Sequence, residues 1–379
     1  MGTLRRQGID LGLLVTTRCT AACKHCCFGC SPRGDQLSGD VTMTLAEARS
    51  YIEQASQLPG GIRRLGMSGG EPFLLRRNLV EIVRYGRDQG AKGITCNTAC
   101  YWATSLKATR LRLEPLREAG LDRLDISTDD FHTEFISLDN VRYTLEVAKE
   151  LEIEVSLNSV ITRQTNTQAT LVGQLGLAAV GVEAHEWKCL ATGAAQQFIP
   201  LDDLFLTAGI PQEACPAPNF IIRPEGDAYF CCSPSGWTPD LKLGNAKEEP
   251  LAVLWRRFHQ RQLYRTLMGE GPAAFIPAIE KAGAGGRLRA GYVNTCDLCH
   301  HILADPVMVE AVRAEVGRRE IARVQSVMNI LLEGTSGTMA HPINGNLGTT
   351  GTEGTKGTPV SSFSSYEFPS EEEMVHAAV

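Results

Sequence analysis

The sequence has no long apolar run. Its N-terminal stretch "MGTLRRQGIDLGLLVTTRC" holds only Leu11 to Val15, and no later segment is longer and equally apolar. Such a run is too short for a signal-peptide core or a membrane span. The chain is therefore expected to be cytoplasmic, without a membrane partner. It also lacks a basic excess. Lys and Arg number 37 against 43 Asp and Glu, a net charge of −6. No basic stripe of the kind that meets nucleic acid is present, so a nucleic-acid partner is not expected. Cysteine is not lacking: there are thirteen. In a reducing compartment they are not disulfides by default, and metal or redox chemistry is the expectation.

The 379 residues are 43% hydrophobic and 21% charged, enough for one large domain and a smaller one. From residue 9 to about 188, short β-branched or apolar runs alternate with amphipathic stretches. The pattern predicts strands over 10–15, 63–67, 92–96, 121–127, 153–160 and 180–187. It predicts helices over 44–57, 74–89, 104–119, 138–150 and 166–177. Gly90 and Gly120 each read as a helix stop before a strand. Repeated βα units imply a parallel sheet with right-handed crossovers. Six strands are too few for a closed eight-fold barrel and suit an open partial barrel or a doubly wound sheet. In either, function gathers at the C-terminal ends of the strands.

After about residue 200 the rhythm changes. Residues 215–243 read as a hairpin, "PLAVLWRRFHQRQLYRTLMG" as one helix, and 306–332 as another. The last residues, 334–379, form a Gly/Thr-rich tail without apolar periodicity, expected to be disordered. The tail sets Lys356 against Glu353, Glu367, Glu371, Glu372 and Glu373, so it carries most of the net charge. A short element in "FSSYEFPSEEEMVHAAV" could dock a partner.

Three of the five cysteines in "TRCTAACKHCCFGC" are spaced C-x3-C-x2-C: Cys19, Cys23 and Cys26. Three thiolates on a compact loop can hold three corners of a [4Fe–4S] cubane and leave the fourth iron open. Zinc held by these three plus Cys27 or Cys30 is the competing reading. Position favours iron, because the loop follows the first strand of a βα series, where an open cluster would face the mouth of the sheet.

With these residues in view, the chain resembles the radical S-adenosylmethionine (SAM) superfamily. His25 matches the family's aromatic position before the third cysteine, whose backbone contacts adenine. Gly69, Gly70, Glu71 and Pro72, after the second strand, resemble the family's GGEP motif, which holds the methionine amino group of SAM. Asn97 at the end of strand three, and Ser127 and Asp129 at the end of strand four, match positions whose polar groups hold the SAM ribose and carboxylate. Asn158 and Glu186 are further candidates of that type. Ordinary turn and capping chemistry is the alternative for each.

The second group is Cys215, ten residues, Gly226, four residues and Cys231, followed by Cys296 and Cys299. It resembles the opening of the SPASM/twitch cluster domains. No cysteine follows Cys299, so the shorter twitch form is expected, with one auxiliary [4Fe–4S] cluster on Cys215, Cys231, Cys296 and Cys299. A four-cysteine zinc site is the alternative. The resemblance thus implies an α/β fold, a partial (β/α)6 TIM-like barrel over 1–200 followed by a small α/β twitch-type domain over 201–333. It implies SAM and two [4Fe–4S] clusters as cofactors, and an electron donor such as flavodoxin or ferredoxin as a partner.

Only eighteen residues precede Cys19 in this sequence, so the winged-helix domain of many peptide-modifying relatives is not expected. The leading expectation is a maturase that epimerises an α-carbon of a ribosomally made precursor peptide. Cys232, next to Cys231, would be its hydrogen donor, since neighbours on a strand point to opposite faces. A small buried hydrophobe is the alternative for Cys232, and Cys189 is a second candidate donor. Cys27, Cys30, Cys96 and Cys100 read as structural or incidental. The alternative functions are a cross-linking maturase, a dehydrogenase of a small alcohol, and a non-catalytic metal-binding scaffold.

Overall fold

The computed structural model describes residues 8–336 apart from 217, 232, 234 and 235. Cys232 therefore lies outside the described residues, as does the expected tail beyond Ser336. The described residues divide into two units, one ending at Val312 and the other starting at Arg313.

In the first unit, six strands alternate with helices. These are β1 (Ile9–Thr16), α1 (Leu45–Ser56), β2 (Ile62–Gly69), α2 (Arg77–Asp88), β3 (Gly93–Thr98), α3 (Leu106–Ala119) and β4 (Arg123–Ser127). They are followed by α4 (Asp130–Thr133), α5 (Leu138–Glu150), β5 (Glu154–Ile161), α6 (Gln168–Leu175) and β6 (Glu183–Lys188). The strands lie in sequence order and pair in parallel throughout. A doubly wound sheet would reverse its strand order at a switch point; this one does not. It is the partial-barrel arrangement.

Alternation explains which face is which. Leu11 and Leu13 on β1, Leu65 and Met67 on β2, Ile94 and Cys96 on β3, and Leu124 and Ile126 on β4 are buried. Their neighbours Asn97, Arg123, Asp125 and Ser127 are only half-buried. In a strand these two sets point to opposite faces. Successive helices pack side by side, α1 on α2, α2 on α3, α3 on α5 and α5 on α6, so they cover the apolar face. The polar face is left to the site. Local signals set the boundaries. Thr44 and Glu47 form a capping box at the start of α1. Gly120 ends α3 at a φ of +106°, a conformation glycine adopts without strain.

The rest of this unit comprises α7 (Ala195–Phe198), β7 (Thr207–Ala208), β8 (Pro218–Ile222), β9 (Asp227–Cys231), β10 (Lys242–Asn245), α8 (Leu251–Gln260), α9 (Gln262–Gly269), α10 (Ile276–Lys281), β11 (Gly291–Tyr292) and α11 (Thr295–Ala304). Two features differ from the sequence expectation. The hairpin does not found a separate sheet: β8 pairs in parallel with β1, Leu11 opposite Phe220, so the sheet runs β10-β9-β8-β1-β2-β3-β4-β5-β6. Without β8, β1 would be an open edge, and edge strands recruit partners. The expected single helix at 250–269 breaks at Arg261, whose backbone is extended at ψ 128° while its guanidinium donates to the Lys242 carbonyl and the Tyr264 hydroxyl.

A last helix, α12 (Pro306–Ser336), crosses from one unit into the other. Within the second unit its surface is laced by an Arg318–Glu315 and an Arg323–Glu320 pair one turn apart. Among the described residues, no helix is long and apolar enough to cross a membrane.

Candidate active site

The C-x3-C-x2-C loop leaves the end of β1 and is closed by its own backbone. Cys19 N–H donates to the Ser31 carbonyl at 3.0 Å, and Cys26 N–H to the Cys23 carbonyl at 3.0 Å. Cys19, Cys23 and Cys26 gather around Ala21 and Phe131. Burial pushes the Cys19 thiol up to about 12 and the Cys23 thiol higher still. Cys26 goes the other way, down to about 6, chiefly through a hydrogen bond from the Cys30 side chain. Cys30, read from sequence as structural, thus touches one of the three.

The GGEP segment lies directly against this loop. Gly70 N–H donates to the Thr16 carbonyl at 2.7 Å and Glu71 N–H to the Arg18 carbonyl at 2.8 Å. A Cβ on Gly70 would stand 1.9 Å from the Arg18 oxygen, and Gly69 has a φ of +128°. Both positions demand glycine because two backbones meet there.

Glu71 is 1% exposed. Its carboxylate accepts from the Phe73 N–H at 3.1 Å, the Ala99 N–H at 3.0 Å and the Thr98 hydroxyl at 3.0 Å. Thr98 is aimed by donors of its own, the Cys100 N–H and the Trp102 indole, each at 3.0 Å. The Trp102 ring stacks on Phe73 at 4.2 Å. Burial raises the Glu71 carboxyl to about 7. An ionised carboxylate has about four acceptor positions. Three donors fill three, so one remains for a cationic group. Thr98 and Trp102 were not legible in the sequence, since neither belongs to a motif.

The remaining strand-end candidates share the polar face. Pairing sets Asn97 beside Asp125, and Asn158 between Ser127 on one side and His185 on the other. Asn158 is engaged: its amide donates to Ser156 and its oxygen accepts from the Trp187 indole at 3.0 Å. Glu186 accepts from the Gln168 N–H and so caps α6. Asp129 caps α4 through the His132 N–H, pairs with His132 Nδ1 at 2.9 Å and accepts from the Val160 N–H. Burial alone would raise the Asp129 carboxyl; His132 overrides it and holds it down at about 2. His25 stacks on Phe131 at 4.6 Å, and burial lowers its pKa to about 4. Its Nδ1 is buried without a hydrogen-bond partner among the described residues. Asp129 thus holds two histidines, His132 through one oxygen and His25 Nε2 at 3.6 Å from the other, and His132 is a residue the sequence reading missed.

The second cysteine group is assembled from distant segments. Cys215, Cys231, Cys296 and Cys299 line one small cavity. Cys231 ends β9, and Cys296 and Cys299 lie one turn apart on α11. Asn294 caps that helix by accepting from the Cys296 and Asp297 N–H groups. Cys215 is held by its N–H on the Leu267 carbonyl at 2.8 Å. Gly236 closes the wall; a Cβ there would be 2.6 Å from Cys231 Sγ. Burial pushes the Cys296 thiol up to about 12 and that of Cys299 up as well, with the neighbouring cysteines adding repulsion.

Buried side chains tie the two groups together. Arg223, at the hairpin turn and 0% exposed, donates to Asp35 at 2.7 Å and to the Ser38 hydroxyl at 2.7 Å, both in the segment after the first cysteines. Its guanidinium lies 4.0 Å over the Trp237 ring, and Trp237 meets Phe28 at 5.1 Å. Phe28 sits between Cys27 and Cys30, and Trp237 follows Gly236.

The donor sets fit the cofactors expected. Several buried thiols that repel one another as anions are relieved by a cationic iron–sulfur core. Three sulfurs in one place and four in the other match an open cluster and a closed one. The open acceptor position on Glu71 and the unpartnered His25 Nδ1 leave polar groups for a ligand beside the first set.

The radical SAM superfamily profile matches residues 13–166, and the profile of SPASM, an iron–sulfur cluster-binding domain, matches residues 215–275. YydG of Bacillus subtilis (strain 168), named for peptide biosynthesis, is 27% identical over 275 residues, covering 70% of this chain and 82% of the relative. A protein of Pyrococcus abyssi (strain GE5 / Orsay), named for GTP 3',8-cyclase activity, is 35% identical over 155 residues, which span 39% of this chain and 47% of that relative. Among solved structures, anSMEcpe with bound AdoMet superimposes with a TM-score of 0.48 at 14% identity, covering 82% of this chain and 94% of that one. The chain carries a radical SAM domain and, beyond it, a SPASM-type iron–sulfur domain, and it is an enzyme that uses SAM and [4Fe–4S] clusters.

Proposed function

We propose that this enzyme modifies a ribosomally made precursor peptide by inverting an α-carbon. The observation that carries the reading is the span of the YydG match, which takes in 82% of a protein named for peptide biosynthesis. In this reading Cys19, Cys23 and Cys26 hold the SAM-binding cluster, and Cys215, Cys231, Cys296 and Cys299 hold the auxiliary one. Bound SAM and its cluster supply a 5′-deoxyadenosyl radical able to take a hydrogen atom from a carbon–hydrogen bond. Glu71 offers its free acceptor position to the methionine ammonium. Asn97, Ser127 and Asn158, on the polar face, would hold the ribose and carboxylate of SAM. Asp129 works at one remove, fixing His132 and His25 at the edge of the cysteine loop. Cys232 returns a hydrogen atom to the opposite face of the α-carbon. That leaves a thiyl radical; an electron carrier such as flavodoxin or ferredoxin would supply one electron for SAM cleavage and a second which, with a solvent proton, restores the thiol, in the cytoplasm.

Running the reaction in D2O tests this. Epimerisation adds about one dalton of solvent deuterium to the peptide, whereas cross-linking or oxidation removes about two. Normal turnover by Cys232→Ala would exclude that thiol as the donor.

A further inference from the structure

The nine-stranded sheet has two ends, and one of them is β6. We propose that β6 is the docking strand for the substrate peptide, which adds to the sheet as an extended strand. The inference rests on the maturase reading above and names how that substrate is held.

The argument starts from the backbone. Cys189 N–H donates to the Ile161 carbonyl of β5 at 2.9 Å. In a strand the N–H and C=O of one residue point to the same side, and successive residues alternate. Glu183, His185 and Trp187 therefore spend their backbone groups on β5. Ala184, Glu186 and Lys188 turn theirs away from it. Among the described residues, none of these outward groups has a partner. Unpaired donors and acceptors at strand spacing form a template for an extended polypeptide. Two of the usual defences of an edge are missing, since β6 has no proline and its six rungs pair with β5 without a bulge; a third, charge, is present in Glu183, Glu186 and Lys188.

The side chains suit a peptide too. Trp187 is 51% exposed, and Val180 and Leu177, just before the strand, are 72% and 92% exposed. They offer apolar anchors on either side of the template. His185 and Trp187 share the polar face with Asn158 and Ser127. A strand added to β6 lies about 4.8 Å beyond them. Every second side chain of that strand then points onto the face where SAM is placed, so one α-carbon is presented to the radical at a time. The register of the peptide, not a pocket for one residue type, selects the residue modified.

Proline separates this role from folding. A proline at an outward N–H is tolerated on an edge strand, since no ladder bond is lost. Ala184→Pro and Lys188→Pro should keep the fold, the iron content and SAM cleavage without peptide. The probe is a synthetic copy of any short precursor peptide found encoded next to the gene. Its affinity should fall about fivefold in each variant, the loss of one hydrogen bond. In the parent enzyme, the same peptide should slow amide exchange at Ala184, Glu186 and Lys188. If the peptide binds with unchanged affinity to both variants and those amides gain no protection, the docking strand is wrong and the maturase reading stands. If the peptide does not bind at all, both fall. Protection of those amides by raised enzyme concentration alone would show that β6 pairs two copies of the chain, and would also overturn the proposal.

Discussion

The two cysteine groups solve the same problem from opposite ends of the folding process. Cys19, Cys23 and Cys26 sit within one loop whose own backbone closes it. Cys215, Cys231, Cys296 and Cys299 meet only when a hairpin, a loop and α11 have packed. Closing a short loop costs little chain entropy, and gathering distant segments costs more. The first group is therefore a local device leaning on the fold, with a carboxylate and a histidine beside it. The second is a staple, with four sulfurs and nothing left over. A cluster with a vacancy does chemistry, whereas a cluster without one holds chain segments together and carries charge.

The largest expected effect separates them at once. Cys26→Ala should abolish SAM cleavage and halve the iron from about eight per chain to about four. Cys299→Ala should lose a similar amount of iron yet still form 5′-deoxyadenosine. Iron analysis and product assay on anaerobically reconstituted protein check both. If Cys299→Ala also abolishes cleavage, the two regions do not differ in the way described.

The next effect concerns the tie between them. Arg223 and Asp35 are an ion pair with side chains 0% and 1% exposed. Removing one partner of such a pair costs about 3–5 kcal/mol, because the other is left buried and charged. Arg223→Met should lower stability by that amount in denaturant unfolding. Arg223 also pairs with Glu225, so Asp35→Leu combined with Arg223→Met should recover only the part of the loss that Asp35 causes. A loss under about 1 kcal/mol for the single variant would show that the regions are held together by other contacts.

What was legible in the sequence follows the same division between local and distant. The six βα units were legible because period-2 and period-3.6 patterns are local, and Gly90 and Gly120 mark their joints. The GGEP segment was legible as a motif, but its reason was not. Gly70 is small because the Arg18 carbonyl lies where its Cβ would be, and no spacing reveals that contact. His132 escaped notice because its partner Asp129 reads as an ordinary cap, which it also is. Thr98 and Trp102 escaped because their partner, Glu71, lies one βα unit earlier in the chain. The place of β8 beside β1 could not be read, since about 200 residues separate strands that are neighbours only in the fold.

The smallest effect sharpens the contrast at a single atom. The first region contains an ionisable carboxyl whose state decides whether it can receive a cation; the cavity of the second is lined by thiols alone among its titratable groups. Burial holds Glu71 up at about 7. Below that pH the carboxyl is neutral and has lost the charge that draws an ammonium; above it the charge is present. SAM affinity should therefore rise with pH towards 7, by about tenfold per unit at most, and level off above it. The direction is that of a ligand that favours the deprotonated form. Glu71→Gln should bind SAM more weakly at pH 8 and remove the slope, because its amide does not titrate. Anaerobic titration calorimetry between pH 6 and 8 measures both. A slope that survives in Glu71→Gln would move the titrating role to His132, whose pKa Asp129 raises despite burial. The free acceptor position on Glu71 would then not be where the ammonium binds.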